Sequence, residues 1–316
     1  MHPSPARPII IDTDPGQDDA VAILLALASP ELQVLGITTV AGNVPLALTT
    51  RNACILLELA NRRDIPVHAG AIRPLVRPLV TAEHVHGKTG LDGPDLPEPT
   101  LAPAPEDAVA FIIRSLREQP PGSVTLCPLG PLTNIALALV RAPDIAPRIR
   151  EIVLMGGGCF EGGNITPAAE FNIYVDPHAA EVVFRSGVPI TMMPLDVTHQ
   201  VLSTPARIAA IRAAGNRSGE VVAQMLEFFE RFDVAKYQSD GGPLHDPCVI
   251  AYLLQPEIFQ GRQVNIEIET RSELTMGMTV VDWWGVSGRP ANARFMRQVD
   301  ADAFFALLRE RLARLP

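Results

Sequence analysis

The sequence predicts an α/β protein: a doubly wound, mainly parallel β-sheet flanked by helices. Three observations carry the prediction. Short β-rich runs alternate with helical runs between residues 8 and 196. The opening strand, "PIIID" (8–12), and the helix after it are apolar almost throughout, as elements covered on all sides are. Hydrophobic residues make up 47% and charged residues 19% of the 316, enough for a sizeable core.

The elements follow in order. After strand 8–12 comes a buried helix over 17–28, whose first turn carries Asp18 and Asp19, where the helix dipole favours anions. "LQVLGITTV" (32–40) is the next strand and 45–60 the next helix. Residues 66–105 are rich in Pro and Gly and too long for an ordinary connection, which marks a functional loop or lid. Helix 105–118 starts with Glu106 and Asp107 at its positive end. "SVTLCPLG" is a strand with its loop, and "PLTNIALALVR" a helix with Pro131 near its first turn. "EIVLMGGG" and "VPITMMPLD" are two further strands, with helix 177–186 between them. Residues 200–255 read as a mostly helical insertion, followed by β-rich segments at 263–270, 276–283 and 292–299 and a terminal helix. With no internal repeat and no low-complexity linker, residues 1–316 are expected to form a single catalytic domain.

The net charge of -9 argues against nucleic acid or an anionic membrane as partner. The four cysteines are scattered, with no C-x-x-C pair, and read as reduced core thiols. No signal-peptide pattern and no apolar stretch of membrane-spanning length is visible, so the expected location is cytoplasmic.

In open α/β sheets ligands bind beyond the carboxyl ends of the strands. That rule selects the loops Asp12–Asp19, Ala41–Asn43, Cys127–Gly130, Met155–Gly158 and Leu195–His199. The first packs Asp12, Asp14, Asp18 and Asp19 between two apolar runs. One reading is an acidic helix start with capping carboxylates. The other is a divalent cation of the Ca2+ or Mg2+ kind, which takes oxygen ligands; no Cys/His cluster suggests zinc. "PLHDPCVIAY" offers a further acid, Asp246, before Pro247, where helix capping and metal ligation are compatible.

Together these pieces resemble the nucleoside hydrolases of the inosine–uridine-preferring type. "DTDPGQDDAVAILLA" looks like that family's N-terminal signature. "ITTVAGN" (37–43), "HVHGKTG" (84–90), "PLGPLTNIALA" (128–138), "EIVLMGGG" (151–158), "GNITPAAEFNIYVDPHAA" (163–180), "LDVTHQ" (195–200), "HDPC" (245–248) and "TMGMTVVD" (275–282) follow in family order. The resemblance covers most of residues 8–299. It implies Ca2+-dependent hydrolysis of the N-glycosidic bond of a ribonucleoside, giving ribose and a free base. It also implies that Asp14, Asp19 and Asp246, with the backbone carbonyl of Leu129, hold the Ca2+, and that Asp18 and Asn43 bind ribose hydroxyls. Asn164, Glu170 and Asn172 would grip the rest of the sugar, and His86 would approach the base or sugar from the long loop.

The residues fit that chemistry on their own terms. Loss of a nucleobase passes through an oxocarbenium-like cation, which nearby carboxylates favour. Asp14 is placed to accept a proton from the attacking water. Short amides and carboxylates in "GGNITPAAEFN" suit hydroxyls, which both donate and accept. His245, beside Asp246, is the candidate donor to the leaving base, and Phe171 and Tyr237 are candidates for the base pocket. The stretch "YQSDGGPLHDP" looks shorter than in the best-known relatives, which carry an additional tyrosine there, so base preference stays open. Trp283-Trp284 reads as packing or a subunit contact in a homo-oligomer, dimer or tetramer. Two other functions compete. A Mg2+ phosphotransferase of the D-x-D type leaves Asp18, Asp19 and "EFN" unexplained. A nucleoside sensor without turnover should lack Asp14 or His245.

Overall fold

A computed structural model describes residues 5–316, apart from the side chains of residues 233, 235 and 237. Ile9, Ile10 and Ile11 have no exposed surface and form the middle of β1 (Arg7–Thr13). Side chains alternate across a strand. Ile9 and Ile11 accordingly enter one apolar cluster and Ile10 another, one on each face of the sheet. Each fully buried isoleucine contributes about 1.5–3 kcal/mol relative to exposure, so the run anchors both layers at once.

The chain leaves β1 through Pro15-Gly16 into α1 (Gln17–Leu27), every residue of which is buried. It continues through β2 (Leu32–Thr39), α2 (Leu46–Leu59) and β3 (Val67–Ala69). The long Pro/Gly-rich connection then carries one short helix, α3 (Glu83–His86). Next comes α4 (Ala108–Glu118), whose N-cap Asp107 accepts a hydrogen bond from the Ala110 N–H. β4 (Val124–Pro128), α5 (Thr133–Arg141), β5 (Ile149–Met155), α6 (Phe171–Val175), α7 (Pro177–Phe184) and β6 (Ile190–Met193) complete the alternation.

In the described residues the sheet has nine strands, and its core runs in the order β3-β2-β1-β4-β5-β6. These pairs are all parallel. Strand order reverses between β1 and β4, which makes the crevice beyond their carboxyl ends the topological switch point. Register sets the three strand ends level there: Asp12 pairs with both Thr38 of β2 and Pro128 of β4.

After β6 the chain forms α8 (Leu195–Thr198), β7 (Leu202–Ser203), α9 (Pro205–Arg212), α10 (Arg217–Tyr237), β8 (Gly242–Pro243) and α11 (Pro247–Leu254). The insertion is helical as expected, but Leu202–Ser203 and Gly242–Pro243 close it with a small antiparallel ladder. α10 and α11 both pack on α1, bringing Asp246 to the acidic start of that helix. β9 (Phe259–Ile268) starts earlier than the sequence suggested, because Phe259 is buried and pairs with Val299. β10 (Thr279–Asp282) and β11 (Ala293–Val299) precede α12 (Ala301–Leu312). β11 extends the parallel sheet beside β6, and β9 and β10 add two antiparallel strands beyond it. Among the described residues no helix is long and apolar enough to cross a membrane. The four cysteines are unpaired, and Cys54, Cys127 and Cys248 are buried.

Candidate active site

Asp12, at the end of β1, turns away from the cluster. Its Oδ1 accepts hydrogen bonds from Thr38 Oγ1 (2.6 Å) and Asn134 Nδ2 (2.8 Å), and its peptide oxygen accepts from the Leu129 N–H (2.7 Å). Asn134 also donates to the Thr39 carbonyl and accepts from the Ala71 N–H. Asp12 thereby ties β1, β2, the loop after β3 and α5 together at the switch point. Burial pushes its carboxyl up to about 7.

Asp14, just beyond the strand, is fully buried. Its Oδ2 accepts from the Asn43 N–H at 2.7 Å, while its Oδ1 has no hydrogen-bond partner among the described residues. Two glycines make room for it. A Cβ on Gly130 would lie 2.1 Å from Oδ1, and one on Gly42 would lie 2.0 Å from Oδ2. Asp19 is held by Thr13 Oγ1 (2.5 Å), the Gly16 N–H (2.9 Å) and Asn43 Nδ2 (3.1 Å). The contact with Gly16 is one half of a capping box, so Asp19 serves the helix start as well.

Asp246 occupies the N-cap position of α11, yet its carboxylate makes no capping hydrogen bond. It faces the start of α1 instead. Asp18, Asp19 and Asp246 offer oxygens that all lie within 4.8 Å of one another. The resemblance implies Asp14, Asp19 and Asp246 for the cation and Asp18 for the sugar; Asp14 lies beside this group, close enough to feel the charges of Asp18 and Asp19. Burial first, and the neighbouring carboxylates second, raise Asp14 and Asp246 well above the ordinary carboxylate range. Asp19 is raised by burial against the pull of its Thr13 and Gly16 hydrogen bonds. Buried, mutually repelling oxygen donors fit an oxygen-seeking divalent cation, which removes the repulsion and the unmet oxygen together.

The pocket opens from this cluster and is lined by Asp18, Asn43, His86, Leu129, Asn164, Glu170, Phe171, Asn172, His245 and Asp246. Nearly every residue proposed from sequence is therefore in one place. Tyr237 ends α10, and its side chain lies outside the described residues. Several of these groups are already engaged with the protein. Asn43 donates to the Asp14 carbonyl and to Asp19. Asn172 donates to the Leu129 carbonyl at 2.7 Å, which leaves that oxygen a second lone pair. Glu170 caps α6, accepting from the N–H groups of Asn172 (3.0 Å) and Ile173 (3.4 Å) and also from Gly157 (2.8 Å), while burial pushes it up to about 7. Asn164 Oδ1 accepts from the Phe171 N–H at 2.9 Å, so it shapes the wall.

His86, on the short helix of the long loop, is buried. His245 is buried as well, with Nδ1 2.7 Å from Thr198 Oγ1 and its ring 5.7 Å from that of His199. Burial first, then the nearby His199 and His86, hold it well below the usual histidine range, so the imidazole is neutral at pH 7. The aromatic end of the pocket comes from residues the sequence reading passed over: His84 on α3, and Phe229, Phe232 and Lys236 on α10. The last three recur at i, i+3 and i+7, one face of a helix, a signal present in "EFFERFDVAK". Lys236 Nζ donates to the Asn164 carbonyl at 2.8 Å and joins the two walls.

Comparison with known proteins identifies the family. The family model for inosine-uridine preferring nucleoside hydrolase matches residues 9–306. An uncharacterised protein of Schizosaccharomyces pombe is 58% identical over 308 residues, covering 98% of this chain and 99% of its own. The pyrimidine-specific ribonucleoside hydrolase RihA of Shewanella sp. strain MR-7 is 51% identical, with 98% and 96% covered. Among solved structures, the purine-preferring ribonucleoside hydrolase of Gardnerella vaginalis superposes with a TM-score of 0.91 at 32% identity, covering 97% of this chain and 98% of its own. The acidic switch-point pocket thus sits on a shared fold and a shared sequence, and the chain belongs to the inosine-uridine preferring nucleoside hydrolase family.

Proposed function

We propose that the protein is a single-domain, Ca2+-dependent hydrolase of ribonucleosides, with pyrimidine ribonucleosides as its preferred substrates, yielding ribose and the free base. The observation that carries this reading is the buried set Asp14, Asp18, Asp19 and Asp246, of which Asp18 and Asp246 line a pocket with an aromatic end. Asp19, Asp246, Asp14 and the Leu129 carbonyl would hold the cation, with Asp18 within reach of both cation and sugar. When bound, the cation would neutralise these carboxylates, hold ribose hydroxyls and make a nearby water more acidic.

The chain's own groups do the rest. Asp14 Oδ1, which no donor among the described residues occupies, accepts a proton from the attacking water. The acidic floor stabilises the oxocarbenium-like ribosyl group. Asn43, Asn164, Glu170 and Asn172 form the sugar wall, and Phe171, Phe229 and Phe232 receive the base. His245 Nδ1 lies 2.7 Å from Thr198 Oγ1; with the hydroxyl as donor, the ring would carry its proton on Nε2 to share with the departing base. Pyrimidine preference rests on the 51% identity to a relative named pyrimidine-specific, against 32% to one named purine-preferring.

A homo-oligomer, dimer or tetramer, fits the exposed Trp284 (79%) beside Trp283, which packs on Phe295. Unpaired, mostly buried thiols fit a cytoplasmic setting. The test is release of ribose from uridine, cytidine, inosine and adenosine with Ca2+ and with EDTA. Release from the pyrimidine nucleosides, abolished by EDTA, is the expected result. Release from none of them with Ca2+ present would overturn the reading.

A further inference from the structure

Gln17, the first residue of α1, is fully buried and its amide is fully used. Nε2 donates to the peptide oxygens of His86 (2.9 Å) and Asp92 (3.0 Å), and Oε1 lies 2.8 Å from His86 Nδ1. Carbonyl oxygens only accept, so these two partners identify which end of the amide is nitrogen. The end facing the ring is then oxygen, which also only accepts. His86 Nδ1 must carry the proton. In a neutral ring this leaves Nε2 with a bare lone pair.

The ring is fixed in that orientation. A Cβ at Gly16 would lie 2.4 Å from Nδ1 and 2.7 Å from Cε1, so the imidazole rests on the glycine backbone. Phe229 stacks on it with centroids 5.4 Å apart and planes at 27°. His86 lines the pocket, and its Nδ1 edge is spent on Gln17. The edge left for a ligand carries Nε2. Burial pushes His86 down to about 3, which keeps the ring uncharged.

We infer that Gln17 is a positioning residue that locks His86 in its Nδ1–H tautomer, so that the pocket presents Nε2 as a hydrogen-bond acceptor and selects a substrate donor, either a sugar hydroxyl or a base N–H. The inference rests on the reading of the pocket as a ribonucleoside site. A substrate that brings no donor leaves a buried acceptor unmet, and discrimination follows.

Two measurements test it. Long-range 1H–15N spectra of the histidine-labelled protein, with His86 assigned by its loss in His86→Asn, should show Nδ1 as the protonated nitrogen and Nε2 as the bare one. The reverse assignment overturns the inference, and the experiment needs no turnover. In kinetics, the wild-type KM for uridine is compared with that for 5′-deoxyuridine, which lacks a sugar hydroxyl, and 3-methyluridine, which lacks the base N–H. One analogue should show a KM raised about 3- to 10-fold, the value of one neutral hydrogen bond, and that analogue identifies the donor. In Gln17→Met the difference should vanish because uridine itself binds more weakly. If the wild type treats both analogues like uridine, or Gln17→Met keeps the discrimination, the inference fails. If uridine is not hydrolysed at all, the ribonucleoside reading fails while the tautomer result still stands or falls alone.

Discussion

Gly130→Ala is the sharpest single test of how the floor of the pocket is built. The new Cβ would lie 2.1 Å from Asp14 Oδ1 and 2.7 Å from its Cγ, where real Cβ atoms essentially never approach within 3.0 Å. The carboxylate must therefore retreat by about 0.9 Å. It cannot retreat freely, because its Oδ2 is held by the Asn43 N–H at 2.7 Å and backs onto Gly42. A misplacement of about 1 Å in a reacting group costs on the order of 10²-fold. At 1.36 kcal/mol per factor of ten, that is about 2.7 kcal/mol of transition-state stabilisation. Overpacking should also lower stability by about 1–3 kcal/mol, which urea unfolding reports separately. The assay is the initial rate of ribose release from uridine at saturating Ca2+, normalised to folded protein. A folded Gly130→Ala whose kcat/KM stays within about threefold of wild type would refute the claim that Asp14 needs this exact seat.

Other consequences are equally direct. Ca2+ at a hundred times its Kd should stabilise the protein by about 2.7 kcal/mol, read as a rise in Tm that EDTA reverses; Asp246→Asn should remove most of that rise, and an unchanged response would take Asp246 out of the cation site. Glu170, raised by burial to about 7 from an ordinary 4.5, contributes stability that is complete below pH 4.5 and is lost as pH rises through 7, about 3 kcal/mol in all. Glu170→Gln should lack that loss, so its urea midpoint should fall less than the wild type's between pH 5 and 8; parallel curves would contradict the burial argument. His245→Ala should slow uridine by about 10²-fold or more and spare a nitrophenyl riboside, whose leaving group needs no proton. Equal losses on the two substrates would count against hydrogen-bond donation by His245.

Much of this was legible in the sequence because it is local. Ile9-Ile10-Ile11 declares a central strand, and Asp14, Asp18 and Asp19 cluster within one turn and its loop. The convergence of Asn43, Asn172 and Asp246 on that loop was readable only through resemblance, since nothing local joins residues this far apart. What the sequence hid was direction. Glu170 lines the pocket, and its carboxylate also accepts from three backbone N–H groups, which no local pattern announces. Asp246 has the position of a helix cap but turns toward α1. The aromatic face of α10 carries no local sign of its role because its partner, α3, is a four-residue helix in an irregular loop. Gln17 was invisible because its partners, His86 and Asp92, lie some seventy residues on.

The seat of Asp19 includes three neutral donors: a threonine hydroxyl, a peptide N–H and an asparagine amide. Together with the Asp12–Thr38–Asn134 knot below it, this frame is assembled by the chain itself. On the reading proposed above, the cation docks on donors that the fold itself positions, unlike small zinc modules whose metal is what folds them. On that reading the activity would track the local supply of the ion without the protein having to refold.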